Sequence, residues 1–168
     1  MKKYILFDLD GTLTDPMEGF TNSVAYALEF YGIHVEDKNT LTVFIGPPLK
    51  DSFEKYYGFS AEKATEAIQK YREYFEKSGM FENAVIPGIP EALETLKNKG
   101  YILITATSKP ERYAKKIMEK FDLARYFQDI CGADMEETRV RKGDVIRYAM
   151  EKNGITEASQ AVMVGDRE

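Results

Sequence analysis

Two aspartates two residues apart, Asp8 and Asp10, close a short apolar run and open the turn Asp8-Leu9-Asp10-Gly11-Thr12-Leu13-Thr14-Asp15. Along an extended chain, residues two apart point the same way, so both carboxylates can face one site. Close carboxylates resist simultaneous ionisation unless a cation joins them or one keeps a proton. The pair therefore suits a hard, oxygen-seeking ion such as Mg²⁺, or a nucleophile beside an acid and base. A capped turn is the simpler alternative, since Asp and Gly are common turn residues. Average composition would yield D-x-D-G-T somewhere in such a chain with a probability of only about 0.002, so chance explains it poorly.

The elements around this turn decide whether the carboxylates can meet other groups. Tyr4 to Phe7 reads as a buried strand that stops at Asp8. Phe20, Val24, Ala27, Leu28 and Tyr31 then fall at helical spacing until Gly32, and Asp15 is placed to cap the start of that helix. Leu49, Phe53, Tyr56 and Tyr57 predict a second helix after Gly46-Pro47-Pro48. A third, beginning near Ser60, carries Ala64, Ala67, Ile68, Tyr71 and Phe75, and the tyrosines and phenylalanines of these helices are expected in their core. After Pro87-Gly88-Ile89-Pro90 the pattern changes. Pro90 fits the first turn of a helix turning Ala92, Leu93 and Leu96 inward, and an apolar strand follows over Tyr101 to Ala106. A helix with Tyr113, Ile117, Met118 and Phe121 leads to a short strand around Gln128 to Gly132. A helix with Val145, Ile146, Ala149 and Met150 then leads to a strand over Ala161 to Gly165. Strand and helix in alternation imply a parallel sheet covered on both faces, whose ligands gather at the carboxyl ends of the strands. The expected architecture is an α/β, Rossmann-like core over residues 1–15 and 80–168, with an all-helical insert at 16–79.

Composition narrows the chemistry further. The 168 residues include 23 Lys plus Arg against 28 Asp plus Glu, a net charge of -5, which is the wrong sign for a general nucleic-acid binder. A single cysteine, Cys131, cannot form an intramolecular disulfide and reads as a small buried hydrophobe. A lone histidine, His34, cannot supply a His-rich zinc shell and reads as a surface residue, so metal chemistry would rest on carboxylates. The apolar run before Asp8 is too short for a signal-peptide core or a membrane span, so a soluble cytoplasmic protein with no membrane partner is expected.

The motif Asp8-Leu9-Asp10-Gly11-Thr12 after an apolar strand resembles the first motif of the haloacid dehalogenase-like (HAD) superfamily, mostly phosphotransferases. Ile102-Leu103-Ile104-Thr105-Ala106-Thr107-Ser108-Lys109-Pro110 resembles the second, with Thr107 at its key position. Lys142 resembles the third and Val162-Met163-Val164-Gly165-Asp166 the fourth. All four stand in order. The insert matches the first type of cap in that family, and Ile45-Gly46-Pro47-Pro48-Leu49 is similar to the cap segment of phosphoglycolate phosphatase-like members. The resemblance implies Mg²⁺-dependent hydrolysis of a small-molecule phosphomonoester, phosphoglycolate-like or a nucleotide, through an aspartyl phosphate. Asp8 would attack phosphorus, Asp10 would serve as acid and then base, and Thr107, Ser108 and Lys142 would hold the phosphoryl oxygens. The metal would be held by Asp8, by Asp10 through its backbone carbonyl, and by Asp166. Thr107 and Ser108 read alternatively as caps of a helix begun by Lys109-Pro110. Gly46 and Lys50 are candidates for substrate selection, although a solvated lysine is the commoner explanation of a residue such as Lys50.

Members of this branch usually continue G-D-x-x-x-D, whereas this sequence stops at Glu168, before the second acid. The sequence therefore reads as an incomplete form whose core lacks its C-terminal end. A dehalogenase of the same fold has no use for Asp10, while a sugar phosphomutase would share every core motif. A non-catalytic binding module is the reading from another class. A monomer or weak homodimer is expected.

Overall fold

The structure, a computed structural model, describes residues 3–136 and 138–166. In chain order the elements are β1 (Tyr4–Phe7), β2 (Thr14–Asp15), α1 (Met17–Glu29), a 3-10 helix over Lys38–Phe44, α2 (Leu49–Tyr57), α3 (Ala61–Lys77) and a 3-10 turn over Gly79–Phe81. There follow β3 (Ala84–Val85), α4 (Ile89–Asn98), β4 (Ile102–Pro110), α5 (Glu111–Lys120), a 3-10 turn over Ala124–Tyr126, β5 (Asp129–Ala133), α6 (Lys142–Lys152), a 3-10 turn over Ala158–Gln160 and β6 (Ala161–Val164). The chain divides into two compact units, Met1–Asp15 with Ala84–Glu168, and Pro16–Asn83.

The first unit is built on a parallel sheet of order β5-β4-β1-β6. Tyr4 stands beside Ile102 on one side and Ala161 on the other, so β1 is an interior strand. Alternation along the strands sorts the core into two layers. Ile5, Phe7 and Leu103 pack with Leu93 of α4, Ala114 and Met118 of α5, and Tyr126. Leu6, Ile104, Ala106 and Cys131 face the other way, against Val145 and Ala149 of α6. Strands covered on both faces explain why β1 and β4 read as unbroken apolar runs. Ala92 is exposed, contrary to the sequence expectation, because α4 buries only the stripe through Leu93. A two-residue ribbon, β2 with β3, places Asp15 opposite Ala84.

The inserted unit is helical. Ser60 caps α3 by accepting from the Lys63 amide at 3.2 Å, and Gly58, at φ +64, closes α2 in the left-handed region that L side chains rarely adopt. Val24, Ala27 and Leu28 of α1, Phe53 of α2, and Ala64, Ala67, Tyr71 and Phe75 of α3 are all buried. Tyr56, expected in this core, is exposed, because the buried stripe of α2 runs through Ser52 and Phe53. The 3-10 helix adds Leu41 and Phe44, one 3-10 turn apart and fully buried. The N-cap position of α1 falls on Pro16, one residue past the expected Asp15. Asp15 is drawn into β2 instead. The insert extends to Asn83, beyond the expected 79, because the Gly19 amide donates to the Glu82 carbonyl and Asn22 Nδ2 donates to Glu82 Oε2 at 2.9 Å. No helix among the described residues is long and apolar enough to cross a membrane.

Candidate active site

The parallel register carries β1 on into Asp8, whose amide donates to the Val164 carbonyl at 2.9 Å. The Asp8 side chain is buried, and its Oδ1 accepts from the Leu9 amide at 2.8 Å. Its Oδ2 lies 2.5 Å from Lys142 Nζ, the first residue of α6, which also donates to the Ala106 carbonyl at 3.4 Å. A carboxylate this deep is tolerable only with such partners. Lys142 therefore fixes Asp8 and sets a positive charge beside it.

The chain then folds tightly. The amides of Leu13 and Thr14 donate to the Leu9 carbonyl, and Gly11 donates to the Thr14 carbonyl at 2.8 Å. Gly11 sits at φ +77, and a Cβ there would lie 2.8 Å from Asp166 Cγ, so the Asp166 carboxylate rests directly against this turn. Asp10 Oδ2 lies 3.2 Å from Lys109 Nζ. Burial pushes the Asp10 carboxyl above its ordinary range, with the Asp8 charge acting in the same direction, while Lys109 and Lys142 pull it down without reversing the shift. Asp10 Oδ1, Thr12 Oγ1 and Thr14 Oγ1 are buried without a hydrogen-bond partner among the described residues.

Thr107 ends the buried part of β4, and its Oγ1 accepts from the Lys109 amide at 3.1 Å. It caps that turn rather than a helix, since α5 begins only at Glu111, after Pro110. Ser108 is exposed. Asp8, Asp10, Thr107, Lys142 and Asp166 thus stand at the carboxyl ends of β1, β4 and β6 and the start of α6. Gly46, at φ +112, and Lys50 in α2 belong to the inserted unit and are both exposed. His34 is exposed and pairs with Glu29, and Cys131 is buried.

Among the described residues no three Asp, Glu, His or Cys side chains converge as a metal cage. Two carboxylates and a carbonyl nevertheless fit Mg²⁺, which keeps several waters and is commonly bound through one or two carboxylates plus substrate phosphate. Lys109 is the residue that sequence reasoning missed. Placed before Pro110 it reads as the start of a helix, yet its side chain is only 6% exposed and turned to Asp10.

Paired acids and lysines gathered at the carboxyl edge of a parallel sheet occupy the place where the ligands of such folds bind. The chain belongs to the haloacid dehalogenase-like hydrolase family, whose sequence model matches residues 5–168. A curated relative, the 5'-nucleotidase of Pseudomonas aeruginosa, is 47% identical over 97% of this chain and 73% of its own length. The tyrosine-protein kinase PtkA of Mycobacterium tuberculosis is 36% identical over 97% of this chain, which spans about half (55%) of that protein. A crystal structure described as a predicted phosphatase from Clostridium acetobutylicum superposes with a TM-score of 0.91 at 51% identity, covering 99% of this chain and 77% of that one. The chain is accordingly an enzyme, a hydrolase of phosphatase type.

Proposed function

We infer that the enzyme hydrolyses small phosphomonoesters, nucleoside monophosphates foremost, through an aspartyl phosphate formed on Asp8. The 2.5 Å pair of Asp8 with Lys142, beside a second acid on the same loop, carries this reading. A carboxylate oxygen of Asp8 bonds to phosphorus as the ester P–O bond breaks, and the departing alkoxide takes a proton from Asp10. Water then attacks the phosphorus, gives its proton to Asp10, and releases inorganic phosphate and the Asp8 carboxylate. Lys142, with the Thr107 hydroxyl, holds the phosphoryl oxygens while charge accumulates on them, a role the outward-turned Ser108 does not share. Asp8, Asp166 and the Asp10 carbonyl would hold Mg²⁺, which when bound offsets the charge of the acids and the phosphoryl group. The inserted unit serves as a cap that excludes water and selects the leaving group, with Gly46 and Lys50 as its contributors. The 5'-nucleotidase relative supports nucleotides as the first substrates to try, with phosphoglycolate as the second.

The test is release of inorganic phosphate from a panel of nucleoside monophosphates, phosphoglycolate and sugar phosphates, with and without Mg²⁺. Isomerised sugar phosphate in place of inorganic phosphate would mark a mutase. Asp8→Asn removes the nucleophile with little change in volume and is expected to cost at least about a thousandfold in turnover. Activity of Asp8→Asn within about tenfold of the parent would refute the covalent route.

A further inference from the structure

Lys109 has no part in the chemistry set out above, yet it is among the most deeply placed charges of the core. A lysine ammonium is almost never so buried unless it is paired, and here Asp10 Oδ2 is 3.2 Å away. The backbone is shaped to bring this about. On β4, Thr107 stands opposite Gly132 of β5, but the next pair is Pro110 with Ala133. Ser108 and Lys109 are therefore extra residues without partners in the ladder, a bulge that turns Ser108 outward and Lys109 inward. The bulge needs space on β5. A Cβ on Gly132 would lie 2.6 Å from the Lys109 carbonyl oxygen and 2.7 Å from Glu111 Cα. The Gly132 amide also donates to Glu111 Oε1 at 3.3 Å, which ties the far side of the bulge to β5. Bulge, glycine and ion pair all converge on one side chain.

We propose that Lys109 is the positioning residue for Asp10: by binding Oδ2 it holds the carboxyl in the orientation in which it exchanges a proton with the leaving alcohol and with water. The proposal rests on the reading of Asp10 as acid and base. The lysines are divided between the acids, Lys142 on Asp8 and Lys109 on Asp10. Asp10 Oδ1 is buried without a hydrogen-bond partner among the described residues, so the contact of Lys109 with Oδ2 is what orients the carboxyl.

Leaving groups separate this role from simple support of the fold. Dinitrophenyl phosphate expels its alcohol unprotonated, whereas ethyl phosphate needs the acid. The parent, Lys109→Met, Asp10→Asn and the double variant are compared by kcat/KM on both esters, a quantity that reports only the steps through phosphoenzyme formation. Lys109→Met and Asp10→Asn are each expected to lose about tenfold or more on ethyl phosphate beyond any loss on dinitrophenyl phosphate. The double variant should fall within about threefold of Asp10→Asn, because Lys109 acts through Asp10. Equal losses of Lys109→Met on the two esters, or losses that multiply with those of Asp10→Asn, overturn the assignment while leaving Asp10 as the acid. An Asp10→Asn variant that is not selective overturns the acid and base reading itself, and the role of Lys109 with it. Should Lys109→Met fail to fold by circular dichroism, Lys109→Gln, which keeps a donor without the charge, is judged by the same criteria.

Discussion

Gly11→Ala separates the cost of a strained backbone from the cost of a displaced acid. Gly11 and Gly88 both occupy left-handed backbone, at φ +77 and +86, where an L side chain costs about 1–2 kcal/mol. Around Gly88 no atom lies within 4 Å of the added Cβ, so Gly88→Ala carries that strain and nothing more. At Gly11 the same Cβ would lie 2.8 Å from Asp166 Cγ and 3.4 Å from its Oδ1, too close for the carboxylate to stay where it is. Both variants should melt about 2–8 °C below the parent, the shift expected for that strain in a chain of this size. Only Gly11→Ala should also alter the metal response, because Asp166 must turn away from the site it is proposed to share with Asp8. Loss of such a partner weakens metal affinity or activity by about 10–100-fold. Calorimetric titration of Mg²⁺ into each protein, beside the Mg²⁺ dependence of phosphate release, measures both quantities. A Gly11→Ala protein with the parent's Mg²⁺ affinity, or a Gly88→Ala protein that loses it equally, would refute the placement of Asp166 as a metal ligand.

Replacing Pro16–Asn83 by a two-residue turn should leave a folded core, because Asp15 and Ala84 are already cross-strand partners. That core is expected to keep activity on dinitrophenyl phosphate and lose discrimination among nucleotides and phosphoglycolate, so preserved discrimination in a substrate panel would remove the insert from selection. The Cys131 thiol, pushed from 9.0 to about 12 by burial and by the neighbouring Asp129, should be alkylated at pH 8 about a thousandfold more slowly in the folded protein than in denaturant, on the thiolate fraction alone. Since that raised pKa means the unfolded thiol ionises first, its contribution to stability should persist below pH 9 and fade as the pH rises towards 12, which denaturant titrations across that window would show.

Much of the core was legible because its physics is local. The apolar run broken by Asp8 read as a buried strand, which is β1, and the change to alternating strand and helix after Pro87 foretold the parallel sheet. The ribbon of β2 and β3 escaped notice because two residues per strand show no periodicity. The start of α1 was set one residue early, at Asp15 in place of Pro16, because the sequence does not reveal that Ala84 will pair with Asp15. Lys109 was hidden for a related reason. Lys-Pro ahead of an amphipathic helix resembles a helix start, and only the register between β4 and β5 shows that the chain stays extended to Pro110. Ala92 and Tyr56 were misplaced because helical spacing identifies a stripe without giving its width.

The central place of β1 has a consequence for how the chain is made. Tyr4 to Phe7 is synthesised well before its partners, Ile102 to Thr105 and Ala161 to Val164. At about 5–20 residues per second, Ile5, Leu6 and Phe7 remain without a sheet for roughly 5–20 s while the insert, whose contacts are all nearer in sequence, can already fold. An apolar strand left waiting is an aggregation hazard, and charged residues at its flank are the usual safeguard. The aspartates at the end of β1 stand in that position, so Asp8 and Asp10 set charge beside the waiting strand before there is any active site for them to serve.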